Sequence, residues 1–126
     1  MISEKEVLEI HEILIDRFGG SKGVRDKELL DSALNRPYQI FDGKELYQTP
    51  IEKAAAILES IVKNHPFTDG NKRTGYVIAR LILMNNQFHI LADQQQKYQF
   101  IISISTEELN FDQIKEWLEN HINKIP

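Results

Sequence analysis

The sequence contains no cysteine. A disulfide framework, a thiolate metal site and a cysteine nucleophile are thereby excluded. It also lacks any apolar run near the roughly 18 residues that a membrane span needs, and its N-terminal segment is acidic and amphipathic rather than signal-like. The expected address is the cytoplasm, with no membrane contact. An excess of positive charge is missing too. A net charge of −4 argues against a surface built to bind nucleic acid directly. Repeats, low-complexity tracts and linkers are absent. What remains is 41% hydrophobic and 27% charged, ordinary for a soluble globule and too apolar for a disordered chain. With 126 residues, one domain spanning 1–126 is expected. Such a chain buries roughly two-thirds of its unfolded surface without a staple.

The charge is uneven. From Ile61 to Arg80, Lys63, Lys72, Arg73 and Arg80 stand against Asp69 alone, so this stretch carries +3 and the remainder −7. A basic island in an acidic chain suits a small anionic ligand.

Helical periodicity dominates. Ser3 and Glu6 have capping-box spacing, Val7, Ile10, Ile13, Leu14 and Phe18 follow at helical intervals, and Gly19-Gly20 provides the exit. A second helix is expected from about Asp26 to Asn35, with Leu29, Leu30 and Leu34 inward and Pro37 stopping it. The stretch from Arg36 to Gln48 has no sustained period and reads as a loop or flap. Thr49-Pro50-Ile51-Glu52 opens a third helix, with Thr49 as cap and Glu52 closing the box, that should end before Pro66. A fourth, from about Asn71 to Asn86, is nearly apolar in its second half and so central. Tyr98 to Ser105 fits strand or helix; helix is favoured, because a lone strand has no sheet to join. The last helix, about Phe111 to Ile122, turns Phe111, Ile114, Trp117 and Leu118 inward. The expected fold class is all-α, a compact helical bundle with a loop between two central helices.

That loop carries the chemistry: His65-Pro66-Phe67-Thr68-Asp69-Gly70-Asn71-Lys72-Arg73. Gly70 to Arg73 lie where a helix begins, so unpaired N–H groups and the positive end of the dipole converge there, an anion nest suited to phosphate. Lys72 and Arg73 add cationic donors, and Arg73 can grip phosphate with two bonds. Asp69 is the single carboxylate needed by a Mg²⁺ that takes its other ligands from phosphate and water. His65 can accept a proton from an incoming hydroxyl. Together these describe transfer from a nucleotide to a hydroxyl. Taken singly, His65 and Asp69 read more readily as helix caps and Phe67 as a core anchor. Lys72 and Arg73 oppose the dipole in a first turn, which argues for a role there.

The nine-residue block resembles the signature of the Fic/Doc superfamily, His-x-Phe-x-acidic-small-Asn. Asn71-Lys72-Arg73-Thr74 follows the death-on-curing (Doc) branch, where most Fic enzymes have Gly-Arg. Gly19-Gly20, Gly23-Val24-Arg25-Asp26, Leu29-Leu30 and Ser32-Ala33-Leu34-Asn35-Arg36-Pro37 are similar to that branch as well. The resemblance implies the Fic helical bundle and ATP-dependent phosphorylation of a protein hydroxyl, with elongation factor Tu as acceptor. Carried over, it implies His65 as base, Asp69 as the Mg²⁺ ligand, Gly70, Asn71, Lys72 and Arg73 at the phosphates, and a small antitoxin that folds onto the chain. Two positions depart from adenylylating Fic enzymes: Lys72 replaces a glycine and Tyr76 a second arginine. A lysine fills space that the α- and β-phosphates would use, which favours presenting the γ-phosphate. AMP transfer is the alternative. The Fic autoinhibitory pattern is absent, since Ser103 to Glu107 is followed by Glu108, so inhibition in cis is not expected.

Remaining features carry less. Gly19 to Gly23 lacks P-loop spacing. His11, His89 and His121 have no ligand-spaced partners, so a zinc site is not expected. Lys63 is a candidate for a peripheral phosphate contact.

Overall fold

The computed structural model describes residues 2–126. Helices α1 (Glu4–Phe18), α2 (Lys27–Asn35), α3 (Pro50–Asn64), α4 (Asn71–Asn85), α5 (Gln94–Ser105) and α6 (Phe111–Asn120) make up most of it. The fold is all-α with short strands. A 3₁₀ turn, Arg36–Tyr38, extends α2. Four strands of two or three residues form two antiparallel pairs, β1 (Ile40–Phe41) with β2 (Lys44–Glu45) and β3 (Phe88–Ile90) with β4 (Ile122–Lys124). None of the helices is long and apolar enough to cross a membrane among the described residues.

α3 and α4 form the centre and pack on each other more extensively than any other pair. Ala54 to Leu58, Ile61 and Val62 of α3 are buried, as are Ile78, Ala79, Ile82 and Leu83 of α4. Gly75 lets the two axes close in: a Cβ there would lie 3.2 Å from Val62 Cγ2. α6, α2 and α5 also pack on α3, with Phe100 of α5 stacked on Trp117 of α6 at 3.8 Å. α1 lies against α4.

Helix starts follow the side-chain caps. Ser3, Asp26, Thr49, Asp93 and Asn110 each accept a first-turn N–H. At Thr49 the box is half formed, since its hydroxyl donates to Glu52 while the Glu52 N–H donates back.

Several expectations change. The Arg36–Gln48 stretch is a hairpin on a 3₁₀ base. Asp42 and Gly43 take φ of 52° and 77° at its tip, as a two-residue turn with left-handed positions requires. Arg36 ties that base to α3: it bonds Tyr47 Oη, Ala56 O and Ser60 Oγ, and pairs with Glu59 at 2.9 Å. α6 ends at Asn120 instead of Ile122, because the chain turns there to pair β4 with β3. α1 buries Val7, His11 and Ile15, while Ile13 and Phe18, expected inward, are exposed.

Candidate active site

α3 ends at His65, whose φ of 51° places it in the left-handed region and turns the chain out of the helix. This conformation is held from outside. The Arg25 Nε donates to His65 O at 2.7 Å and its Nη2 to Asn64 O at 2.8 Å, a cationic fork across the negative end of α3. The Arg25 and Asp26 N–H groups both donate to Pro66 O, Thr68 N–H donates to Gly23 O, and Val24 bridges Phe67. Residues 20–26 thus form a strap across the loop.

Inside the loop, Phe67 is fully buried and stacks on His11, with ring centres 3.9 Å apart and planes within 8°. Asn71 clasps the loop from within: its Oδ1 accepts from Phe67 N–H and its Nδ2 donates to Phe67 O. The Asn71 side chain is thereby oriented by the loop, and its backbone N–H has no intrahelical acceptor.

Asp69 is exposed and is not the cap of α4. Its Oδ2 accepts the Ser21 N–H at 2.8 Å, which orients the carboxylate. Gly70 takes the cap position with φ 76°, and no side chain caps this helix, unlike the other five. The first-turn N–H groups of Asn71, Lys72 and Arg73 have no carbonyl one turn back. Thr74 N–H donates to Gly70 O as the first bond of the helix. Arg73 rests its guanidinium 4.0 Å from the Phe18 ring centre.

His65, Asp69, Gly70, Asn71, Lys72 and Arg73 line one open cleft of about 530 Å³. Its opposite wall is α5, through Gln94, Lys97, Tyr98, Ile101 and Ile102. The cleft is thus polar and cationic at the loop, while α5 sets Tyr98, Ile101 and Ile102 beside the polar Gln94 and Lys97. Among the described residues no three metal-ligating side chains come together. Among the described residues that line the cleft, Asp69 is the only carboxylate, and one oriented carboxylate fits a Mg²⁺ completed by phosphate and water. Lys63 belongs elsewhere: it bonds Glu59 and Leu109 O and does not line the cleft.

Sequence reasoning passed over the α5 wall, Phe18 and His11. The spacing of Val7, His11 and Ile15 on one face of α1 was the available signal for the last.

Tyr76, also on the cleft wall, has a buried hydroxyl without a partner among the described residues. Burial pushes its pKa up, with Arg80 pulling the other way. The folded chain disfavours the phenolate, so this group's contribution to stability is full below the unfolded tyrosine value of about 10 and is lost as pH rises through the higher folded value. Tyr76→Phe is expected to flatten the alkaline loss of stability, read as urea midpoints above about pH 9. An identical slope in both proteins would show that the hydroxyl is hydrated.

The profile of the Fic/DOC family matches residues 1–83. Over 76 residues the chain is 43% identical to a protein named Toxin Doc from Mycolicibacterium smegmatis, covering 60% of this chain and 58% of that relative's length. It is 26% identical over 117 residues to the Protein kinase doc of Escherichia phage P1, covering 93% of this chain and 91% of the other. A 47-residue stretch is 43% identical to the Protein adenylyltransferase fic-1 of Caenorhabditis briggsae, covering 37% of this chain and 9% of that one.

Proposed function

The chain belongs to the Fic/DOC family, and from that premise we propose that it is the toxin of a toxin–antitoxin pair, a transferase moving the γ-phosphate of ATP onto a protein serine or threonine. The observation that carries this reading is one cleft that joins an exposed imidazole, an oriented carboxylate and an uncapped helix N-terminus beside Lys72 and Arg73. His65 takes the hydroxyl proton as the acceptor oxygen attacks the γ-phosphorus. The bond from that phosphorus to its bridging oxygen breaks, and ADP leaves with the electron pair. The first-turn N–H groups of α4, with Lys72 and Arg73, hold the phosphate oxygens through charge-assisted bonds. Asp69 would hold a Mg²⁺, which when bound neutralises phosphate charge.

Lys72 and Tyr76 support γ-transfer over AMP transfer. Both line the cleft, the lysine ammonium taking room near the nest and the tyrosine offering no second guanidinium for the inner phosphates. A Tu-type elongation factor is the proposed acceptor, as the resemblance implies. Restraint by an antitoxin completes the proposal: Leu8, Ile13 and Phe18 of α1, and Ile40, Phe41 and Leu46 around the hairpin, are exposed apolar residues for its segment to cover.

Incubating a cell lysate with the chain and either γ- or α-labelled ATP tests the reaction. Label is expected on protein from the γ-position only, and chelating Mg²⁺ should abolish it. Label from the α-position would replace phosphorylation with AMP transfer, and none from either would reject a transferase.

A further inference from the structure

Among the described residues His11 is the one buried histidine, 3% exposed, and the reaction above does not use it. Its Nε2 lies 2.7 Å from Asp69 O, 58 positions away in sequence. A carbonyl oxygen only accepts, so Nε2 carries the proton and donates. The ring is fixed by its stack on Phe67, which is itself fully buried. The donor end of the bond is thus held in place.

Its consequence falls on the next atom pair. The Asp69–Gly70 peptide is trans, and in a planar trans peptide the C=O and N–H point in opposite directions. With Asp69 O drawn toward His11, the Gly70 N–H is directed away from it. Gly70 cannot enforce this orientation itself. Rotating that peptide changes the sign of its φ, now 76°, and glycine occupies both signs about equally. A rotated peptide would present a carbonyl oxygen where an anion needs a donor. Glycine also leaves room here, since a Cβ would lie 3.0 Å from Ile15 Cδ1 and that side chain would have to shift.

We infer that His11 is a positioning residue that locks the Asp69–Gly70 peptide and so aims the first donor of the phosphate nest. This rests on reading the cleft as a phosphate site. The test is calorimetric binding of ATP with Mg²⁺ to the full chain. His11→Phe keeps a ring on Phe67 without a donor, and His11→Met fills the space without one. His11→Gln restores an N–H donor of similar reach.

Both donor-free variants should weaken binding by about ten-fold or more, and His11→Gln should stay within about three-fold. A purely packing role predicts the reverse order, with glutamine worst, and that order would overturn the lock. So would donor-free variants that bind like the unmutated chain. If neither donor-free variant folds, His11→Gln must still bind within that limit for the lock to stand.

A second measurement separates this inference from the proposed function. The amide–α-proton coupling of Gly70 reports its φ without any ligand. If the unmutated chain does not bind ATP, the proposed function fails and the coupling decides alone. A changed coupling in the donor-free variants supports the lock, and an unchanged one overturns it.

Discussion

His65→Ala is expected to lower phosphate transfer by about 10²–10⁴-fold, the usual contribution of a positioned proton acceptor, with folding and ATP binding almost unchanged. The selectivity follows from how His65 is held. Its side chain is exposed, and its ring has no hydrogen-bond partner among the described residues. What fixes the residue is its backbone, through the Arg25 fork on its carbonyl and its own N–H to Ile61 O at 3.3 Å. Alanine keeps both bonds and the same left-handed geometry. Single-turnover transfer, calorimetric ATP binding and a urea melt measured together check this. Undiminished turnover would remove His65 as the base, and a parallel loss of binding would give it a structural role.

Phe67→Ala should produce the largest stability effect in the motif, about 3–5 kcal/mol, as expected when a buried aromatic is truncated in a packed core. Phe67 is fully buried, stacks on His11, bridges Val24 and has both backbone polar groups bonded to Asn71. Removing its ring frees the His11 imidazole as well as leaving a cavity, so ATP binding should weaken beyond the global loss. Urea unfolding gives the first quantity and calorimetry the second. A destabilisation below about 1 kcal/mol would mean that the loop is anchored elsewhere.

The two residues show why parts of this site were legible and others were not. His65 and Phe67 belong to one contiguous block whose residue types state their chemistry. The order of the helices was readable for a similar reason. Ser3 and Glu6 exchange cap bonds across three positions, so that start was read directly. The equally local boxes of Asp93 with Gln96 and Asn110 with Gln113 went unread, and α5 begins at Gln94, ahead of the expected Tyr98. The hairpin was not readable, because β1 and β2 are only two residues each and carry no period. Nor was the β3–β4 pair, whose partners lie at opposite ends of the C-terminal third.

By itself, the sequence determined that the chain is helical, that a loop with a histidine, a carboxylate and two basic residues joins its central helices, and that no thiol takes part. Those properties come from residue types and from bonds between near neighbours. The tertiary structure alone decided which face of α1 is buried, that α5 supplies the far wall of the cleft, and that Lys63 stands outside it. It also decided how the loop is held, because those bonds join groups far apart in the chain. Ser21 reaches Asp69 across 48 positions and His11 across 58. No periodicity or local spacing encodes such contacts; they exist only once α1 has packed beside α4 and carried its buried histidine under the loop.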